Sequence, residues 1–212
     1  MPNFNKLSEA VYIGTTEKEC EIGVSKFWGA PHITEDFDWP ADADGYDMDF
    51  ICQIRTDDID PDKNVFKKSG IIYFFGCLTA PLGFDDEPRI SAGLQPDGYF
   101  AVRFSDSGNS DLQFGEIVDE DGNEVGFSEL RMDFSNDENA FNSALHQAFG
   151  DAPETEETYG VPDGYSLLLC IDSFAGKDFT LEFEDSGYLY FLIDKKDAEN
   201  MNFDNVKAFI AV

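Results

Sequence analysis

The sequence predicts an α+β fold. It is β-rich, with mostly antiparallel sheets in two pseudo-symmetric halves from an internal duplication, and one main helix near residues 137–149. Three observations carry that expectation. The 212 residues include 21 Phe and 8 Tyr, residue types that suit pleated, half-buried surfaces. The apolar residues cluster in short runs bounded by Gly, Pro, Asp and Asn, the pattern of strands and turns. Finally, an ungapped shift of 117 residues lays one set of apolar runs on another.

In chain order, residues 1–24 give a short helix and then a strand at Ala10-Val11-Tyr12-Ile13-Gly14. Residues 29–45, with Pro31, Pro40 and Gly45, form a long ordered loop pinned by Trp28, Phe37 and Trp39. Asp49 to Ile54 is a compact apolar strand. Ile71 to Leu78 is a continuous apolar run, as expected for a strand covered on both faces. Tyr99–Phe104, Leu112–Val118 and Val125–Phe134 read as a meander with turns at 105–109 and 119–123. The main helix is capped by Ser135 or Asn136, carries a stripe of Ala140, Phe141, Ala144, Leu145 and Ala148, and stops at Gly150. After an acidic loop at 151–158, strands are expected at Tyr165–Ile171, Phe179–Phe183 and Tyr188–Ile193. A helical turn near Lys195–Asn200 and a last strand at Val206–Val212 complete the chain.

The shift of 117 puts Phe50-Ile51-Cys52-Gln53-Ile54 on Leu167-Leu168-Leu169-Cys170-Ile171, Phe66 on Phe183, Ser69-Gly70 on Ser186-Gly187, and Tyr73-Phe74 on Tyr190-Phe191. Neither strand–loop–strand copy could bury its sheet alone, so the two are expected to share one core in a single domain spanning residues 1–212.

Charge and composition narrow the function classes. With 44 acidic and 14 basic residues the net charge is −30. Such a field repels phosphate backbones and anionic lipid, so neither nucleic acid nor membrane is an expected partner, whereas a basic protein is. Acidity of this kind also serves solubility alone. Cys20, Cys52, Cys77 and Cys170 have no CxxC spacing, and only two histidines are present to join them. No metal site or cofactor is therefore expected, and the cysteines read as reduced core thiols. The N-terminal Met1-Pro2-Asn3-Phe4-Asn5-Lys6 lacks a signal-peptide layout, and no apolar stretch reaches the ~20 residues of a membrane span. The expected location is the cytoplasm. No nucleophile elbow, P-loop or GxGxxG is present, which leaves open whether the chain is an enzyme.

Individual residues admit sharper readings. His146, at the C-terminal end of the expected helix, reads either as a base favoured in its charged form by the helix dipole or as a buried hydrogen-bonding histidine. His32 lies in the Pro-rich loop with no second histidine nearby. Gln53 would pair with Cys170 across the repeat, a broken amide pair that reads as structural. Tyr73 and Tyr190 are repeat mates, two phenols about the pseudo-axis or two core aromatics. The Asp119–Asn123 run fails the EF-hand spacing and reads as a hairpin turn. The cluster Glu35, Asp36, Asp38, Asp42, Asp44, Asp47 and Asp49 reads as a solvated face before it reads as a cation site.

Several motifs together resemble a known family. Ser25-Lys26-Phe27-Trp28-Gly29-Ala30-Pro31 with Phe37-Asp38-Trp39-Pro40 is similar to the opening motif of the YwqG-like proteins, a bacterial family of unknown function. Phe50–Ile54, Lys68–Phe75, His146–Gly150, Leu167–Ser173, Ser186–Phe191 and Phe203–Val206 resemble its later motifs in order. Trp28 stands where the family usually has Gly, and Cys170 where it has Gln. The resemblance implies a duplicated, β-rich α+β fold with no established reaction, and hints at immunity-type binding. The expectation is thus a protein-binding module, immunity-like or regulatory. The alternative is a small-ligand binder or enzyme with its site among Trp28, Gly29, Pro31, Gln53, Tyr73, His146 and Tyr190. An acidic mimic of nucleic acid is a third possibility, requiring regularly spaced acids on one face.

Overall fold

The structure is a computed structural model and describes residues 6–78, 92–106, 108–117, 126–142, 146–152, 163–183 and 187–212. The chain begins with β1 (Val11–Thr16), β2 (Lys26–Phe27), β3 (His32–Ile33) and β4 (Asp49–Arg55), then a one-turn helix, α1 (Thr56–Ile59). Next come β5 (Ile71–Gly76), β6 (Gly93–Leu94), β7 (Phe100–Ser105), β8 (Gln113–Phe114), β9 (Leu130–Ser135) and β10 (His146–Ala148). The last third holds β11 (Tyr165–Asp172), β12 (Phe174–Ala175), β13 (Thr180–Leu181), β14 (Tyr188–Asp194), a short helix α2 (Lys195–Glu199) and β15 (Lys207–Ala211). Asp194 caps α2, its Oδ1 accepting from Lys196 N at 2.8 Å.

Among the described residues eleven strands join in one sheet in the order β6-β15-β14-β11-β10-β1-β9-β2-β4-β5-β7, and β12–β13 and β3–β8 form small ribbons. Each pairing among the described residues is antiparallel. The large sheet curls into a half-barrel. One face carries a shared core, where Ile51, Ile54, Ile72 and Phe74 meet Leu169, Ile171, Leu189 and Phe191. Across it, the rings of Phe74 and Phe191 lie 4.9 Å apart. The opposite face carries two separate clusters, one around Phe50, Tyr73 and Phe75 and one around Cys170, Tyr190 and Phe209. Strands covered on both faces explain the continuous apolar runs of β5 and β14.

The β4–β5 and β11–β14 pairings run in step. Asp49↔Gly76, Phe50↔Phe75, Cys52↔Phe74, Gln53↔Tyr73, Ile54↔Ile72 and Arg55↔Ile71 recur 117 residues later as Ser166↔Ile193 through Asp172↔Tyr188. The register shift between Phe50 and Cys52 recurs between Leu167 and Leu169. Thr56 N donates to Gly70 O and Ser173 N to Gly187 O, both at 3.0 Å. A Cβ on Gly70 would lie 2.3 Å from Ser105 O, and one on Gly187 2.2 Å from Ala211 O. No other residue permits those approaches.

Three expectations are corrected. The helix near 137–149 is not formed: His146–Ala148 is strand β10, inserted between β1 and β11. Local side chains oppose the helix, since Ser135 Oγ accepts from Asp137 N at 3.0 Å and Asp137 Oδ1 from Asn139 N at 3.0 Å, turn bonds that compete with helical ones. Residues 143–145 of that stretch lie outside the described residues. The meander is also replaced. β7 sits at the sheet edge on β5, β8 leaves to pair with β3, and β9 lies mid-sheet between β1 and β2. The 119–123 turn lies outside the described residues, and residues 6–24 hold a strand without a helix.

Candidate functional site

The polar residues of the opening motif converge on the segment from Gly23 to His32. β2 lies between β9 and β4, with Lys26 opposite both Arg131 and Gln53. Ser25 Oγ donates to Asp58 Oδ2 at 2.6 Å and accepts from Arg55 N at 2.8 Å. Lys26 is completely buried; its ammonium donates to Ala30 O at 2.6 Å and Glu129 Oε2 at 2.8 Å. The other Glu129 oxygen accepts from Cys20 N at 3.2 Å. Burial pushes the Glu129 carboxyl up, but the hydrogen bond and charge of Lys26 outweigh it and hold the group below its usual range.

Beyond β2 the backbone turns through two left-handed residues, Trp28 at φ 56° and Gly29 at φ 64°. Trp28 is buried, its ring edge-on to Phe127 and Phe179. Pro31 O accepts from Gly115 N at 2.7 Å, which ties the loop to β8. His32 follows and is gripped from three sides. Its N–H donates to Gln53 Oε1 at 2.8 Å, and its carbonyl accepts from Tyr73 OH at 2.6 Å. Its Nδ1 accepts from Gly23 N at 2.9 Å and lies 3.0 Å from Gln53 Nε2, which also donates to Val24 O at 2.8 Å. Because Nδ1 accepts, the neutral ring carries its proton on Nε2. Burial, aided by the Lys26 charge, brings His32 down to about 4. Burial also raises the Tyr73 phenol.

Gln53 and Tyr73 are therefore brought together, directly opposite in register, with His32 between them. Trp28, Gly29 and Pro31 lead into the same clamp. His146 stands apart on the core face, its ring 5.0 Å from Phe27 and 4.6 Å from Phe174. Its Nδ1 accepts from Asp172 N at 3.1 Å, and burial takes it down to about 3, so it is a neutral strand residue rather than a charged helix end. Tyr190 is in the other outer cluster, stacked with Phe209 at 6.2 Å and Tyr188 at 6.0 Å, so Tyr73 and Tyr190 do not share a site.

Lys26 and Glu129 are the residues the sequence left unmarked, and His32, read only as an isolated histidine of the Pro-rich loop, is the centre of the clamp. A lysine between Ser25 and Phe27 in a strand-like stretch was a local signal; Glu129, 103 residues away, offered none. Chemically the clamp satisfies most of its donors and acceptors internally. Its two remaining buried donors, Trp28 Nε1 and His32 Nε2, have no acceptor among the described residues. Among the described residues no group of three or more His, Cys, Asp or Glu side chains is arranged to hold a metal ion. In the acidic loop, Asp42 Oδ1 accepts from Asp44 N and Tyr46 N, both at 2.9 Å, and Asp49 Oδ2 from Leu78 N at 2.9 Å. Those carboxylates shape the loop.

The model of a domain of unknown function, DUF1963, matches residues 25–210, and the chain belongs to that family. No curated protein matches the chain.

Proposed function

We propose that this DUF1963 protein is a protein-binding module, immunity-like or regulatory, that docks a basic protein through its acidic surface. The carrying observation is the net charge of −30, which steers a cationic partner inward and makes association salt-sensitive. Binding rather than turnover is supported by the fate of the motif residues. Gln53 Oε1 and the Tyr73 hydroxyl are spent on the His32 backbone, and both histidines are buried and neutral at pH 7. A second reading, a small-ligand binder or enzyme near His146 and the Trp28–Pro31 loop, draws support from the buried unpaired donors Trp28 Nε1 and His32 Nε2.

The order of motifs within residues 25–210 supports the YwqG-like identification. The matched register of β4–β5 and β11–β14 supports an internal duplication within one domain. Four free, buried thiols support a reducing cytoplasmic setting. No helix among the described residues is long and apolar enough to cross a membrane.

The test is affinity capture from host lysate across a salt series. A basic protein retained at low salt and released as salt rises is the expected result. Retention indifferent to salt, or co-purification of a small molecule alone, overturns the docking reading, and the small molecule moves the second reading ahead.

A further inference from the structure

A cleft of about 390 Å³ opens between the β4–β5 connection, the end of β7 and the C-terminal end of α2. That volume falls in the range of small-ligand sites, about 300–1,000 Å³. Lys67 and Lys68 of the β4–β5 connection and Glu199 and Asn200 at the end of α2 line it, and Phe104 and Met201 supply apolar surface. The Phe104 ring packs against that of Phe203, centroids 5.8 Å apart. Met201 is held left-handed at φ 56° by its N–H bond to Ala198 O at 3.1 Å, a conformation that costs energy for a residue with a Cβ.

Lys68 pairs with Asp106 at 2.9 Å. The exposed side chains of Lys67, Glu199 and Asn200 have no partner among the described residues. The cleft therefore offers an unpaired ammonium from the β4–β5 connection, a carboxylate and an amide from the end of α2, and apolar surface in the same lining. We propose that it binds a zwitterionic apolar peptide of about dipeptide size. The ligand's carboxylate would meet Lys67, its ammonium Glu199 and Asn200, and its side chains Phe104 and Met201. Charge decides against a simple anion: Lys67, Lys68, Asp106 and Glu199 sum to zero, so the cleft has no excess positive charge to offset repulsion from a molecule at −30. A zwitterion meets no such repulsion. This site lies away from the His32 clamp and stands independently of the docking reading.

The experiment is amide-resolved NMR titration of the full chain with leucyl-leucine, its N-acetyl form and its carboxamide. Saturable shifts confined to residues 67–68, 104–106 and 199–201 are expected with the free dipeptide. Each blocked form, and each of Lys67→Ala and Glu199→Ala, should weaken binding about tenfold, the scale of one lost charge-assisted hydrogen bond. Both positions are exposed, so the variants should keep the wild-type spectrum elsewhere. Absence of saturation, shifts centred elsewhere, or equal binding of the blocked forms overturns the proposal.

Discussion

The β4–β5 and β11–β14 regions perform the same backbone tasks with different side chains. Ser25 Oγ accepts the N–H of Arg55 at the end of β4, and His146 Nδ1 accepts the N–H of Asp172 at the end of β11. Lys26 reaches the carbonyl four residues on, Ala30 O; Gln147 Nε2 reaches Asp151 O, also four residues on, at 2.8 Å. Trp28-Gly29 and Phe149-Gly150 both turn left-handed. On the outer face, however, the first region builds a polar clamp from Gln53, Tyr73 and His32, where the second stacks Tyr190 on Phe209 beside Cys170. A fold constrains which backbone groups must be paired and leaves open which side chain pairs them. The first region's ammonium needs Glu129 as counter-ion, and the second region's neutral amide needs none.

The glycines give the largest expected effect. Gly70→Ala and Gly187→Ala each force a Cβ within 2.3 Å of a backbone oxygen, and each should cost about 3 kcal/mol, the upper end for overpacking. Urea unfolding checks both. Tolerance of one and not the other would break the correspondence at its tightest point.

Lys26 sharpens it. Lys26→Ala leaves Ala30 O and the half-buried Glu129 without their donor and should cost about 2 kcal/mol, below the 3–5 of a fully buried pair because Glu129 is partly solvated. Lys26→Gln copies Gln147 and should recover at least half of that loss. Equal destabilisation by Ala and Gln in denaturant melts would show that the charge, not the bond to the carbonyl, is what the first region requires.

The histidines give an effect confined to acid, spread over several pH units. The folded values of His32 and His146, about 4 and about 3, lie below their ordinary 6.5. The unfolded chain thus binds more protons, and the stabilisation is whole above pH 6.5 and lost as pH falls toward the folded values. Each contributes a slope of up to about 1.4 kcal/mol per pH unit. His146→Asn should flatten the stability–pH curve between pH 6.5 and the carboxylate range by about one proton. An unchanged slope would remove His146 from its neutral, buried role.

Sequence by itself determined the strands at 49–55, 71–76, 165–172, 188–194 and 207–211, the helical turn of α2, and the spacing of 117 at which two strand pairs share a register. Those features are legible because strands covered on both faces are largely apolar along their length, and because Gly70 and Gly187 stand where a backbone oxygen approaches too closely for a Cβ. Tertiary structure decided the rest. His146–Ala148, with local helical spacing, becomes a strand because β1 and β11 offer it a ladder on each side. β9 moves from an expected meander to mid-sheet, and Glu129 reaches Lys26 across 103 residues. These placements depend on partners far along the chain, and a pattern read over a few turns or strands carries no record of which distant group will meet it.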